Sequence, residues 1–267
     1  MEKIREMNRK EKIIDETFRW SFSKLETFET CPRQFYLQYM LDPPIEQDQN
    51  AFAEYGTFCH SLLESWAKGE VEKRQLADLY AENYCDHVLH LFPPYPKGFA
   101  EKAYREGLLY FQNFCGFGKD MRVLSVEEKF ELDIAGNLFV GIADLVLEDN
   151  NTGDITIIDH KTKSERSMKN DLQKYRRQLY TYAAYCKQKF GRFPKVLKFN
   201  MIKSMNFIAE EFNLQSYEET MRWIANTIDL IQMETDWKEN ESRYFCQNIC
   251  GVWADCDSGI RLNTAGG

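Results

Sequence analysis

Asp144, Asp159 and Lys161 have the types and spacing to hold a hard cation beside an ammonium group. They fall in a stretch that reads as three consecutive strands, 126–134, 138–148 and 155–161. Turn residues join them, Ala135-Gly136-Asn137 first and then a run from Asp149 to Asp154. If the second turn is symmetric about Asn151-Thr152, Asp144 lies directly across from Asp159. Opposed residues of an antiparallel pair hold their Cβ atoms about 4.5–5.5 Å apart, so two carboxylates there repel. A divalent cation between them resolves the repulsion. Lys161 lies two residues beyond Asp159 and shares its face. A salt-bridged sheet face is the bland alternative. The apolar run around Asp144, Phe139 to Leu147, weighs against it, because an uncompensated carboxylate there is costly. In the first strand Glu128 shares a face with Val126, Phe130 and Leu132.

Helices must position this sheet. A capping box at Ser23 and Glu26 starts one, and Pro32 sits in the first turn of a second that opens at Cys31. A helix over 55–66 carries His60, and helical patterns over 72–90 and 99–114 are separated by Phe92-Pro93-Pro94-Tyr95-Pro96-Lys97-Gly98. After the three strands come a helix over 171–190, strands over 195–202 and 207–214, and a helix over 216–239. The last has an apolar stripe of Met221, Ile224, Ile228 and Ile231 that reads as core. The expected organisation is a charged extension over 1–19 and a single domain over 20–256. That domain comprises a helical insertion at about 61–124, a core over 126–213, and a C-terminal helix with clustered cysteines over 215–256. A flexible polar tail over 257–267 follows.

The formal net charge of −8 argues mildly against a protein that coats nucleic acid, although acidic metal ligands contribute to it. A local basic run, Lys161, Lys163, Arg166, Lys169, Lys174, Arg176 and Arg177, follows the candidate site and is either a substrate path or a solvated helix face. No run is long and apolar enough to span a bilayer, so no membrane partner and a cytoplasmic location are expected. Eight cysteines in such a chain suggest a metal site rather than a disulfide framework. Cys59, Cys85, Cys115 and Cys186 sit in apolar helical contexts and read as buried small hydrophobes.

Four motifs in order carry a family resemblance. They are His60 in Gly56-Thr57-Phe58-Cys59-His60-Ser61-Leu62-Leu63-Glu64, Asp144 in Gly141-Ile142-Ala143-Asp144, Asp159-His160-Lys161, and Gln178-Leu179-Tyr180-Thr181-Tyr182. Each residue taken alone has an ordinary reading, His60 as a core histidine and Gln178 and Tyr182 as amphipathic helix surface. Together the chain from about 20 to 256 resembles the RecB-like exonuclease branch of the PD-(D/E)XK nucleases. The resemblance implies an α/β restriction-endonuclease-like core, a central mixed sheet flanked by helices, with an N-terminal helical arch. It implies that Asp144, Asp159, His60 and the backbone carbonyl of His160 hold Mg²⁺ or Mn²⁺. Lys161 would orient a water or stabilise developing charge, Gln178 and Tyr182 would brace the site and contact DNA, and Glu128 would be an auxiliary carboxylate. Cys31 together with Cys246, Cys250 and Cys256 resembles the iron–sulfur subgroup of this branch, which includes AddB-type helicase–nuclease subunits and CRISPR-associated adaptation nucleases. Four thiolates match a [4Fe-4S] cluster. Three residues, not the subgroup's two, separate Cys246 from Cys250, which leaves structural Zn²⁺ as the alternative. The implied activity is hydrolysis of single-stranded DNA or DNA ends, with a helicase, recombination or CRISPR adaptation partner. The alternative is a DNA-binding or scaffold subunit with weak nuclease activity.

Overall fold

The structure, a computed structural model, describes residues 9–94 and 97–264. In chain order its elements are β1 (Lys10–Glu11), α1 (Phe22–Thr30), α2 (Pro32–Phe35), β2 (Leu41–Asp42), α3 (Ala51–Ala67), α4 (Leu76–His87) and α5 (Phe99–Asn113). The central strands follow as β3 (Met121–Ile134), β4 (Asn137–Asp149) and β5 (Ile155–Lys161). Next come α6 (Glu165–Asn170), α7 (Leu172–Phe190), β6 (Val196–Met201), β7 (Asn206–Glu211), α8 (Leu214–Met233), α9 (Arg243–Asn248) and α10 (Asp257–Thr264).

The five long strands form one sheet in the order β3-β4-β5-β6-β7. Ala135 (φ 54°) and Gly136 (φ 80°) are both left-handed, the backbone that a two-residue hairpin turn requires, and they join β3 to β4. β4 and β5 run antiparallel with Leu145 opposite Ile158 and Glu148 opposite Ile155, the register that the symmetric second turn implies. Asp149 nucleates that turn by accepting the Asn151 and Thr152 amides at 2.8 and 3.0 Å. β5 and β6 are parallel, which a short turn cannot achieve, and α6 and α7 make the crossover between them. β6 and β7 are again antiparallel. The result is an α/β fold built on a mixed sheet, as expected from the sequence.

β5 is buried at every position from Ile155 to His160, apolar in Ile155, Ile157 and Ile158 and polar in Thr156, Asp159 and His160. Gly141 on β4 is a packing requirement, since a Cβ there would come within 2.4 Å of the Phe130 ring. The helices α3, α4 and α5 build their own core from Tyr55, Phe58, Leu62, Leu63, Tyr80, Tyr110 and Phe111, with Ile202 from the turn after β6.

The chain divides into two compact units. One comprises residues 1–50, 133–139 and 222–267, and the other 51–132 and 140–221. In the first, Trp20 bridges to Phe139, and Trp237 packs on Phe28, Phe35 and Tyr36.

Three local features differ from the sequence reading. Ser21, not Ser23, caps α1, its side chain accepting the Lys24 amide. A π-helical turn over Tyr36–Met40 continues α2. The stretch after Asp257, expected to be flexible, forms α10 as far as Thr264, while 265–267 lie outside the described residues. Its order comes from a distant carboxylate: Glu239 accepts the Ser258 amide at 3.1 Å and the Ser258 hydroxyl. Gln247 also donates to the Leu262 carbonyl at 2.7 Å. Of the N-terminal extension, residues 1–8 lie outside the described residues, and Lys10–Glu11 pair with Leu41–Asp42.

Candidate metal centre

Asp144 and Asp159 are both buried, on adjacent strands just beyond the paired residues Leu145 and Ile158. Asp144 Oδ2 accepts the backbone N–H of His160 at 2.8 Å, which ties β4 to β5 just past their last paired residues. Lys161 Nζ stands 2.7 Å from Asp159 Oδ2 as an ion pair. That oxygen is buried and, among the described residues, accepts no hydrogen bond of good geometry. Burial first, and then the charge of Asp159, hold the Asp144 carboxyl above the usual carboxylate range, against the opposing pull of His60 and Lys161.

His60 comes from α3. That helix buries Tyr55, Phe58, Cys59, Leu62 and Leu63, a spacing of three to four residues that fixes one face against the core. His60 borders this face. Its Nε2–H donates to the His160 carbonyl at 2.9 Å, since a carbonyl only accepts. Nδ1 is therefore left facing Glu127 Oε1 at 3.6 Å and Asp144 Oδ2 at 3.5 Å. Burial opposes the imidazolium, but the Glu127 hydrogen bond and the charges of Asp144 and Asp159 outweigh it and raise His60 to about 9. His160, fully enclosed and near His60 and Lys161, is held well below the usual histidine range.

One ligand atom each from His60, Glu127 and Asp144 lies within 4.8 Å of the others. Two carboxylates and an imidazole nitrogen converging on one point are a donor set suited to Mn²⁺ or Mg²⁺. The buried Asp159 oxygen that lacks a good hydrogen bond extends that fit.

The acidic residue of β3 in this group is Glu127, not Glu128. The Glu128 carboxylate is instead bonded to Lys189 of α7. The cause is a break in strand alternation. Glu127 has φ 44°, a left-handed conformation inside a strand, as in a bulge. Ser125 and Glu128, three apart, both reach the α7 side: Ser125 bonds Tyr185 at 3.2 Å, and Lys189 holds Glu128. Val126 packs with Leu145, Leu147 and Ile158, while Phe130 stacks on Tyr185. Strict alternation would have put Val126, Glu128 and Phe130 together. The Glu127-Glu128 pair was visible in the sequence; the bulge that chooses between them was not.

α7 supplies a chain of hydrogen bonds to Lys161. Lys161 Nζ donates to Gln178 Oε1 at 2.8 Å, and Gln178 Nε2 donates to the Tyr182 hydroxyl at 2.7 Å. Gln178 and Tyr182 are four apart and so share one helix face. Burial, then the charges of Asp159 and Asp144, raise the Tyr182 phenol well above its usual value, keeping it neutral.

Cys31, Cys246, Cys250 and Cys256 all belong to the other unit. Cys31 caps α2, accepting the Gln34 amide at 3.4 Å and the Asn240 amide at 3.3 Å. Cys246 donates to the Asn240 carbonyl at 3.1 Å, and Cys256 donates to Glu239 at 3.3 Å. Burial raises the thiols of Cys246, Cys250 and Cys256, and proximity to Cys31 adds to each. Cys59 and Cys186 are buried elsewhere as expected, but Cys85 and Cys115 are exposed.

No curated protein matches the chain. A structure from Eubacterium rectale, provisionally described as an exonuclease, is similar at 10% identity, with a TM-score of 0.46 over 91% of this chain and 87% of that one. A second structure, of SSO0001, is similar at 17% identity, with a TM-score of 0.38 over 92% of this chain and 89% of that one. The model of the PD-(D/E)XK nuclease superfamily matches residues 19–257. With its mixed sheet and its Asp-x-Lys strand, this chain belongs to that superfamily.

Proposed function

We propose that the protein is a Mg²⁺- or Mn²⁺-dependent deoxyribonuclease that hydrolyses single-stranded DNA or DNA ends as an exonuclease of the RecB-like type. The observation that carries the reading is the convergence of His60, Glu127 and Asp144 beside the Asp159–Lys161 pair. The order of the four sequence motifs supports the RecB-like branch, and the resemblance to that branch carries the preference for strand ends.

His60, Asp144, Asp159 and the His160 carbonyl would hold the cation, with Glu127 beside them. When bound, the cation supplies Lewis-acid stabilisation and lowers the pKa of water at the site. Asp159 and Gln178 hold the Lys161 ammonium in place, so its charge is preorganised for a phosphate oxygen that gains negative charge during cleavage. Tyr182 fixes the Gln178 amide and thereby the direction of its carbonyl toward Lys161. His60 Nε2, engaged by the His160 carbonyl, leaves Nδ1 to exchange a proton for a metal. In the other unit, the four cysteines would hold a [4Fe-4S] cluster or structural Zn²⁺. The amide donors on Cys31 suit a thiolate ligand.

The bulge at Glu127 has a direct test. Glu127→Gln should weaken Mn²⁺ binding by roughly tenfold or more, the range for groups that support a metal. Glu128→Gln should leave binding unchanged. Calorimetric titration of both variants decides, and an equal loss in the two would restore Glu128 to the site.

The metal-free protein should also respond to pH in a set direction. His60 is raised in the folded state from 6.5 to about 9, so its stabilisation is complete below pH 6.5 and is lost as pH climbs through 9. Asp144, also raised, works in the same direction at lower pH. Thermal melts in chelator should therefore fall between pH 6.5 and 9, and His60→Gln should flatten that slope. An unchanged slope in the variant would remove His60 from the cluster of charges.

A further inference from the structure

We propose that Asn200 is a positioning residue of the metal centre: it fixes the His160 ring and, through it, the main-chain groups that meet His60 and Asp144. The inference rests on the metal-centre reading above.

His160 sits between Asp159 and Lys161, and its backbone is used twice. Its N–H goes to Asp144 Oδ2 at 2.8 Å and its carbonyl receives His60 Nε2 at 2.9 Å. Residue 160 thus has both of its main-chain groups engaged in the site, and beyond the pairing of β5 with β6 its side chain is what can hold them in place. That ring is buried, stacked on Phe117 (centroids 5.7 Å apart, 21° between planes) and edge-on to His60 at 5.4 Å.

Asn200 is the parallel-strand partner of His160 on β6 and is 1% exposed. Its Nδ2 lies 3.1 Å from His160 Nδ1 and 2.6 Å from the Tyr110 hydroxyl. An amide nitrogen only donates, so His160 Nδ1 must accept. The ring is thereby fixed as the neutral tautomer with its proton on Nε2. The second amide hydrogen is spent on Tyr110 of α5. Asn200 thus uses both donors, one toward the Asp-x-Lys strand and one toward the helical layer. A leucine of similar size would leave the His160 nitrogen buried without a donor, and the ring could then turn and carry the peptide with it.

The discriminating comparison is between the two hydrogen bonds of one amide. Asn200→Leu should weaken Mn²⁺ affinity about 10- to 100-fold, the range for residues that orient metal-binding groups. It should also convert the His160 imidazole ¹⁵N spectrum from a single Nε2–H tautomer to a mixture. Tyr110→Phe removes only the far bond and should keep both the affinity, within about twofold, and the tautomer. If Asn200→Leu does not fold, Asn200→Asp carries the test. Its carboxylate accepts where the amide donated, so it should move the proton to Nδ1 and weaken Mn²⁺ binding. Wild-type affinity in a folded Asn200 variant, or an equal loss in Tyr110→Phe, would overturn the proposal. Absence of Mn²⁺ binding by the wild-type protein would sink the metal-centre reading instead. The ¹⁵N spectra would still report on Asn200, and an unaltered tautomer in Asn200→Leu would overturn its role.

Discussion

Asp159→Ala should lower DNA cleavage by on the order of 10³-fold or more while the protein still folds, and Asp144→Ala and Lys161→Ala should do the same. Asp159 has two duties: it offers a buried oxygen with no good hydrogen bond, and it anchors the Lys161 ammonium. Removing it would delete a proposed ligand and release the lysine at once. Asp144 joins the His160 amide to His60, so its loss opens the other half of the site. Because these groups act as one unit, the double variant Asp144→Ala/Asp159→Ala should be no more defective than either single variant. The fold should survive, since the two carboxylates are buried together, and burial first and then the Asp159 charge disfavour the ionised Asp144 carboxyl. End-labelled single- and double-stranded DNA incubated with Mn²⁺ provides the assay. Normal cleavage by any of the three single variants, or losses that multiply in the double variant, would show that the chemistry lies elsewhere.

The second large effect concerns the cysteines. Protein prepared anaerobically should be brown and carry about four irons per chain, and Cys31→Ser should lose the iron and much of its thermal stability. Cys31 lies more than 200 residues from Cys246 in sequence. A bond network between such distant points restricts the unfolded chain strongly in the loop-closure picture. Hydrogen bonds through Asn240, the Arg33 amide on the Lys238 carbonyl and Trp237 packed on Phe35 also join the Cys31 segment to the chain leading to Cys246. Cleavage should fall only as folded protein is lost, because the cysteines and the Asp-x-Lys strand belong to different units. Elemental analysis separates the outcomes. Zinc at one per chain with no iron or labile sulfide would replace the cluster by a structural zinc site, and full iron in Cys31→Ser would mean that another residue completes the ligand set.

Much of the sheet was legible because its signals are local. The Asp149–Asp154 turn fixes the β4–β5 register, and the Ile155, Ile157 and Ile158 cluster at the start of β5 announces a buried strand. The Asp-x-Lys strand and the helix carrying His60 follow from spacing alone. What was not legible depended on distant partners or on backbone geometry. Glu239 orders α10 from outside the tail, so nothing in the tail's own polar sequence reveals it. The choice of Glu127 over Glu128 turns on one dihedral angle, and alternating hydrophobicity carries no sign of it. Asn200 was invisible as a partner of His160 because parallel pairing across a helical crossover joins residues 40 apart.

The left-handed backbone at Glu127 sets two demands on one codon. Glycine tolerates φ 44° without a steric cost, whereas a side-chain-bearing residue held there costs on the order of 1 kcal/mol. Selection for a durable fold would therefore favour glycine at this position, and selection for a third acid near His60 would favour glutamate. A chain that kept this fold without a metal near His60 would be free to carry glycine, asparagine or aspartate at this position.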